Sequence, residues 1–164
     1  MSTTPGGIDA RGYLSGWLAA LSDMYQKDVR AIPEEKWLST HGGCTRSGCD
    51  LTADAIGMLI WTTEALKGNV VILDETYVTP QLKDACSTRN GACASLVSAC
   101  EGFSAALANA GDEALNALVT PPWRMDAPLF MIAQIAVSHV WYHDGQLNYI
   151  QSLLGDDKVH WMGD

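Results

Sequence analysis

The chain predicts an all-α fold, a four-helix bundle with long crossover connections, on three observations. Four long segments carry apolar side chains at the 3.6-residue helical period. Glycine, proline and threonine clusters separate them, and no set of alternating apolar and polar runs offers strands. With 164 residues and no internal repeat, the chain is long enough for one domain to bury its own core.

The first helix spans about Ile8 to Ala31, with Tyr13, Leu14, Trp17, Leu18, Leu21, Met24, Tyr25 and Val29 near helical spacing. Ile32-Pro33 ends it, because a residue before proline is pushed out of the α region. Pro33-Glu34-Glu35-Lys36-Trp37 adds a short helical turn, and a glycine-rich loop runs to about Cys49. Asp50 is the expected N-cap of a second helix from Leu51 to Leu66 or Lys67, stopped by Gly68-Asn69. Val70-Val71-Ile72-Leu73 follows as a short apolar connector. Thr79 caps a third helix with Pro80 in its first turn, and this helix runs to about Ala110, with Asn90-Gly91 as its weak point and Gly111 as its stop. Thr120-Pro121-Pro122-Trp123-Arg124 is a rigid connector. Asp126-Ala127-Pro128 opens the last helix, which ends at Gly155.

Charge narrows the partners. Lys and Arg number 10 against 19 Asp and Glu, a net charge of −9. Binding a phosphate backbone needs clustered cations, so nucleic acid is disfavoured. Met1-Ser2-Thr3-Thr4-Pro5-Gly6-Gly7 lacks the basic start and apolar run of a signal peptide. No uninterrupted apolar run is long enough to span a bilayer, so no membrane partner is expected and the protein reads as cytoplasmic.

Five cysteines, an odd count, point to reduced thiols. Cys86, Cys93 and Cys100 recur every seven residues and continue to Leu107, one stripe of one helix, as small core hydrophobes. Successive members lie about 10.5 Å apart along a helix axis, too far to bridge. Cys44 and Cys49 sit in the glycine-rich loop. Arg46 beside Cys44 raises the alternative of a reactive thiol, weighed against local loop packing.

The chemistry concentrates in His139-Val140-Trp141-Tyr142-His143. Residues four apart on a helix share a face, and here it is the apolar one: Ile132, Ala136, His139, His143, Leu147, Ile150 and Leu154. Imidazoles aimed at a core need partners, since an unpaired buried polar group costs about 1–3 kcal/mol. A divalent metal is one such partner; a buried carboxylate or a backbone carbonyl is another. The spacing lacks the glutamate of the zinc-protease motif and so brings no general base of its own.

Taken in order, these features resemble the DinB-like superfamily of metal-binding four-helix bundles. The residues that carry the resemblance are Ala31-Ile32-Pro33-Glu34-Glu35-Lys36-Trp37, Gly42-Gly43-Cys44-Thr45-Arg46, Val137 to Leu147, and Leu153-Leu154-Gly155-Asp156. The resemblance implies a divalent metal held by three histidines, one on the second helix and a pair on the fourth. It carries the pair onto His139 and His143. The second-helix histidine is missing, and Asp54 is the nearest replacement. A carboxylate oxygen suits zinc, iron, manganese or nickel. The alternative for Asp54 is an acidic residue complementing the helix dipole. Asp50 is set aside because it caps. His41 and His160 are expected to be ordinary loop and tail histidines. Asp144 and Gln146 flank His143 as candidates to fix its tautomer, or Asp144 lies on a solvated face.

Two principal functions follow. In the first, a metal-dependent S-transferase activates a small-molecule thiol, as the resemblance implies. In the second, a non-catalytic stress-response or binding bundle keeps a degenerate site in which the histidines hydrogen-bond to Asp54. A metal-storage or sensing module is a third. A homodimer is also expected, because similar bundles often pair and six tryptophans exceed the needs of one small core. Trp17, Trp37, Trp123 and Trp161 are the ones a partner would cover.

Overall fold

The computed structural model describes residues 9–69 and 77–162, which are mostly helical with one small sheet. The N-terminal stretch and the Val70–Leu73 connector of the sequence reading lie outside the described residues. Asp9 caps α1 (Ala10–Ala31), its carboxylate accepting from the Gly12 amide at 3.0 Å. Leu14, Leu18, Leu21, Tyr25 and Val29 are buried along one face, whereas Tyr13 is exposed. Extended Ile32 ends the helix before Pro33, and Glu34–Lys36 form a 3₁₀ turn. Arg89 closes this corner: its Nη1 donates to the carbonyls of Arg30 and Ile32, both at 2.8 Å, which the helix end leaves without partners.

Ser47, not Asp50, caps α2 (Gly48–Leu66): its hydroxyl accepts from the Asp50 amide at 3.1 Å. The helix therefore begins three residues earlier than the apolar pattern suggests. Asp50 falls in the first turn and pairs with Lys83 at 2.8 Å. At the other end Gly68 adopts φ +82°, and the Asn69 amide reaches back to the Glu64 carbonyl at 3.0 Å, a glycine stop as expected.

The predicted third helix is two helices. Thr79 caps α3 (Pro80–Ala85), and Thr88 caps α4 (Arg89–Asn109) by accepting from the Gly91 amide at 3.1 Å. A second threonine cap thus interrupts a period that looked continuous, and Asn90-Gly91 lies in the first turn of α4 instead of weakening its middle. Cys86 consequently sits at the end of α3, yet Cys86, Cys93, Cys100 and Leu107 are all buried. All five cysteines are unpaired. By length and mean hydropathy (1.3) α4 meets the bare requirement for a membrane-crossing helix. Here it packs along α1 and α2.

A short helix α5 (Asp112–Asn116) follows, then β1 (Leu118–Val119) pairs antiparallel with β2 (Ala127–Pro128). This sheet was not foreseen; at two residues per strand no alternation can be read. It uses Ala127-Pro128, so α6 (Leu129–Leu153) starts later than predicted. Gly155 at φ +88° ends α6, with the Asp156 amide on the Gln151 carbonyl at 3.0 Å. Each of α1 and α2 lies against both α4 and α6. As a result α2 is buried on nearly every side, and its Thr62 and Thr63 hydroxyls donate to their own helix carbonyls at 2.8 and 2.7 Å.

Candidate metal centre

The contact of α2 with α6 brings Asp54 to His139 and His143. Among the described residues these three form a cluster whose donor atoms all lie within 4.8 Å of one another. The two imidazoles meet edge to face, with Nε2 to Nε2 at 3.0 Å. Asp54 Oδ2 lies 3.3 Å from His143 Nε2, and its Oδ1 lies 3.6 Å from His139 Nε2. The separations of 3.0, 3.3 and 3.6 Å, the last two to different oxygens of the carboxylate, are of the size expected between ligands of one ion, since donors bound at about 2.0–2.2 Å lie about 3–4 Å apart. The donor set and its spacing therefore fit one divalent ion, with coordination positions left over. His143 is buried, while the His139 side chain is 23 % exposed, so solvent reaches the cluster on the His139 side.

Gln146, one turn beyond His143, sets the direction of the ring. Its Oε1 lies 2.6 Å from His143 Nδ1, and its Nε2 donates to the Tyr142 hydroxyl at 3.2 Å. An amide oxygen only accepts, so Nδ1 carries a proton, and Nε2 faces the centre as a lone pair when the ring is neutral or as a donor to Asp54 when it is protonated. A lone pair facing the second Nε2 at 3.0 Å requires something positive between them, either one shared N–H or a cation. Arg46 Nη2 is 3.3 Å from the same Nδ1, but two donors form no hydrogen bond, so Asp54 is what holds this guanidinium.

Two residues of the site had no signal of their own in the sequence. Arg46, noted as a neighbour of Cys44 and within the Gly42–Arg46 stretch but given no part in the site, places Nη1 2.5 Å from Asp54 Oδ2. Burial acts to raise the Asp54 pKa, but the contacts with His139, His143 and Arg46 outweigh it and hold the carboxyl far below the usual range. Asp54 is thus a full carboxylate across the working pH range, with a cation already beside it. Tyr77 brings its hydroxyl 3.4 Å from His139 Nε2. Burial first, and the Asp54 charge next, push this phenol well above its ordinary value, so it keeps its proton. Gly57 makes room for it: a Cβ there would lie 2.7 Å from the Tyr77 carbonyl oxygen. Nothing in local spacing ties Tyr77 or Arg46 to a histidine pair on a distant helix.

Other candidates fall elsewhere. Asp144 is neither a partner of His143 nor solvated; it is buried and turned to Asp28 of α1. Burial, followed by the neighbouring Asp28, pushes its pKa up to about 8. His160 pairs with Asp156 at 2.7 Å in the C-terminal tail, and His41 lies in the loop before α2, both outside the cluster. Cys44 is exposed, with the Arg46 guanidinium turned to Asp54. Burial raises the other four thiols, Cys86 to about 12 and Cys100 to about 11, which makes them poor nucleophiles. Compared with known proteins, the chain matches no protein-family model and no curated protein.

Proposed function

We propose that the protein is a DinB-like four-helix bundle with long crossover connections, that Asp54, His139 and His143 hold one divalent metal, and that the site serves S-transfer from a small-molecule thiol. The observation that carries this reading is that three ligand-type side chains from two helices bring their donor atoms within 4.8 Å of one another. Zinc, nickel, manganese or iron bound there would lower the pKa of a coordinated thiol and supply thiolate at neutral pH. Gln146 keeps the His143 lone pair aimed inward, and Asp54 contributes the anionic ligand. Tyr77, with its proton retained, can donate a hydrogen bond to an oxygen on the second reactant. The site contains no separate nucleophile among the described residues, which fits a thiol brought in from outside.

A second reading, a non-catalytic bundle with a degenerate site, is favoured by one observation. Arg46 already neutralises Asp54, and the polar cluster is then stable without an ion. Metal analysis separates the two. Protein purified without chelator should carry about one equivalent of metal by mass spectrometry, and His143→Ala should lose it with its helical circular dichroism intact. Metal-free wild-type protein that refuses added zinc would leave the second reading standing. We also propose that the chain pairs as a homodimer through α1 and α6, where Trp17 and Trp141 stack edge to face at 5.3 Å on the surface.

A further inference from the structure

Among the described residues Arg46 is the one Lys or Arg in contact with the three donors, and its position is at odds with an easily filled metal site. Its Nη1 sits 2.5 Å from Asp54 Oδ2, the oxygen that also faces His143 Nε2 at 3.3 Å. The guanidinium therefore competes with an ion for that oxygen, while Oδ1 lies 3.6 Å from His139 Nε2. Charge adds to the obstruction. Asp54 and Arg46 sum to zero before an ion arrives; with Arg46 in place a dication leaves the cluster at +2, and without it at +1. The surroundings screen little of this, since the side chains of His143 and Asp54 are 1 % and 15 % exposed. Arg46 itself is 43 % exposed and is carried by the loop in front of α2, so its side chain has solvent to move into.

Resting on the metal reading above, we infer that Arg46 is the gate of this site: its ion pair with Asp54 competes with the metal for the carboxylate and sets how tightly the metal is held. This differs from the usual effect of a residue behind a ligand. A carboxylate or carbonyl behind a histidine raises ligand basicity, so losing it weakens metal binding. A guanidinium behind a carboxylate withdraws charge and repels the ion, so losing it should strengthen binding. Arg46 is thus a positioning and affinity-setting residue.

The test is a titration of the full-length protein with zinc against a chromophoric chelator, with wild type, Arg46→Gln and Arg46→Lys in parallel. Arg46→Gln should bind zinc about tenfold tighter or more, and Arg46→Lys should fall between, since an ammonium keeps the charge without the planar fork. Circular dichroism of each variant reports whether the fold is kept. A properly folded Arg46→Gln with unchanged or weaker zinc affinity overturns the gate while leaving the metal site intact. Failure of both wild type and Arg46→Gln to bind zinc overturns the metal reading itself, and the gate with it. A second readout uses cobalt: its visible absorption should appear at lower metal excess in Arg46→Gln than in wild type, and identical curves count against the gate.

Discussion

Asp144 follows His143 directly and yet belongs to a different environment, because one step along a helix turns a side chain by about 100°. His143 faces α2, whereas Asp144 faces α1, where Asn148 Nδ2 donates to Asp28 Oδ2 at 2.8 Å and Gln151 Nε2 to the Asp28 carbonyl at 3.0 Å. Asp144 Oδ1 and Asp28 Oδ1 are both buried without a donor, which a proton on Asp144 resolves. With its pKa raised to about 8, Asp144 binds a proton in the native state that the unfolded chain releases near pH 4. Its contribution is therefore greatest in acid and is lost as pH rises from about 4 to about 8. In Asp144→Asn an amide replaces the shared proton and can donate to Asp28 at any pH. The variant should gain stability relative to wild type as pH rises from 4.5 to 8.5, by on the order of 1–3 kcal/mol at the upper end. Urea midpoints at the two pH values measure this. A difference that does not grow with pH would refute it.

Among the elements, the start of α2 is fixed by an aromatic ring. Trp37 is fully buried and its Nε1 donates to the Cys86 carbonyl at 2.8 Å, so it joins the 3₁₀ turn to the end of α3 and has no part in an interface. A Cβ on Gly48 would lie 2.4 Å from Cζ3 of that ring. Alanine normally improves a helix by up to about 1 kcal/mol over glycine, but here the ring cannot retreat, and overpacking costs about 1–3 kcal/mol or more. Gly48→Ala should therefore lower the melting temperature, while Gly102→Ala in α4, whose Cβ would meet nothing within 4 Å, should hold or raise it. Equal effects of the two substitutions would rule out this account. The same local chemistry decides what a reader of the sequence can see. Helix ends marked by Pro33, Gly68 and Gly155 were legible because the backbone itself demands those residues. Ser47 and Thr88 were missed because hydroxyl caps look like ordinary polar residues inside an apolar period. The His139–His143 pair and Asp54 could be picked out because a helix converts spacing into direction. Arg46 and Tyr77 could not, since only the packing of α2 against α6 brings them to the imidazoles.

For the whole molecule, the proposed homodimer depends on where the aromatic side chains emerge. Of the four tryptophans first assigned to a partner, Trp37 is core, whereas Trp17 is half-buried and Trp123 and Trp161 are partly exposed. The denser patch lies on α1 and α6: Tyr13 is 70 % exposed, Trp141 54 %, and Tyr142 and Tyr149 62 % each. Trp141, Gly145 and Tyr149 stand at four-residue spacing, and Gly145 leaves open space between the rings. Large rings of this kind bury much area at little entropic cost, and the patch itself is uncharged on a chain of net charge −9. Two copies facing each other across it would bury the same residues twice. Light scattering at micromolar concentration should thus return about twice 17.7 kDa. Trp141→Glu should shift the mass to that of a single chain with little change in helix content, because the ring is on the surface. A wild-type mass near 17.7 kDa would end the proposal. A dimer indifferent to Trp141→Glu would move its interface to another face.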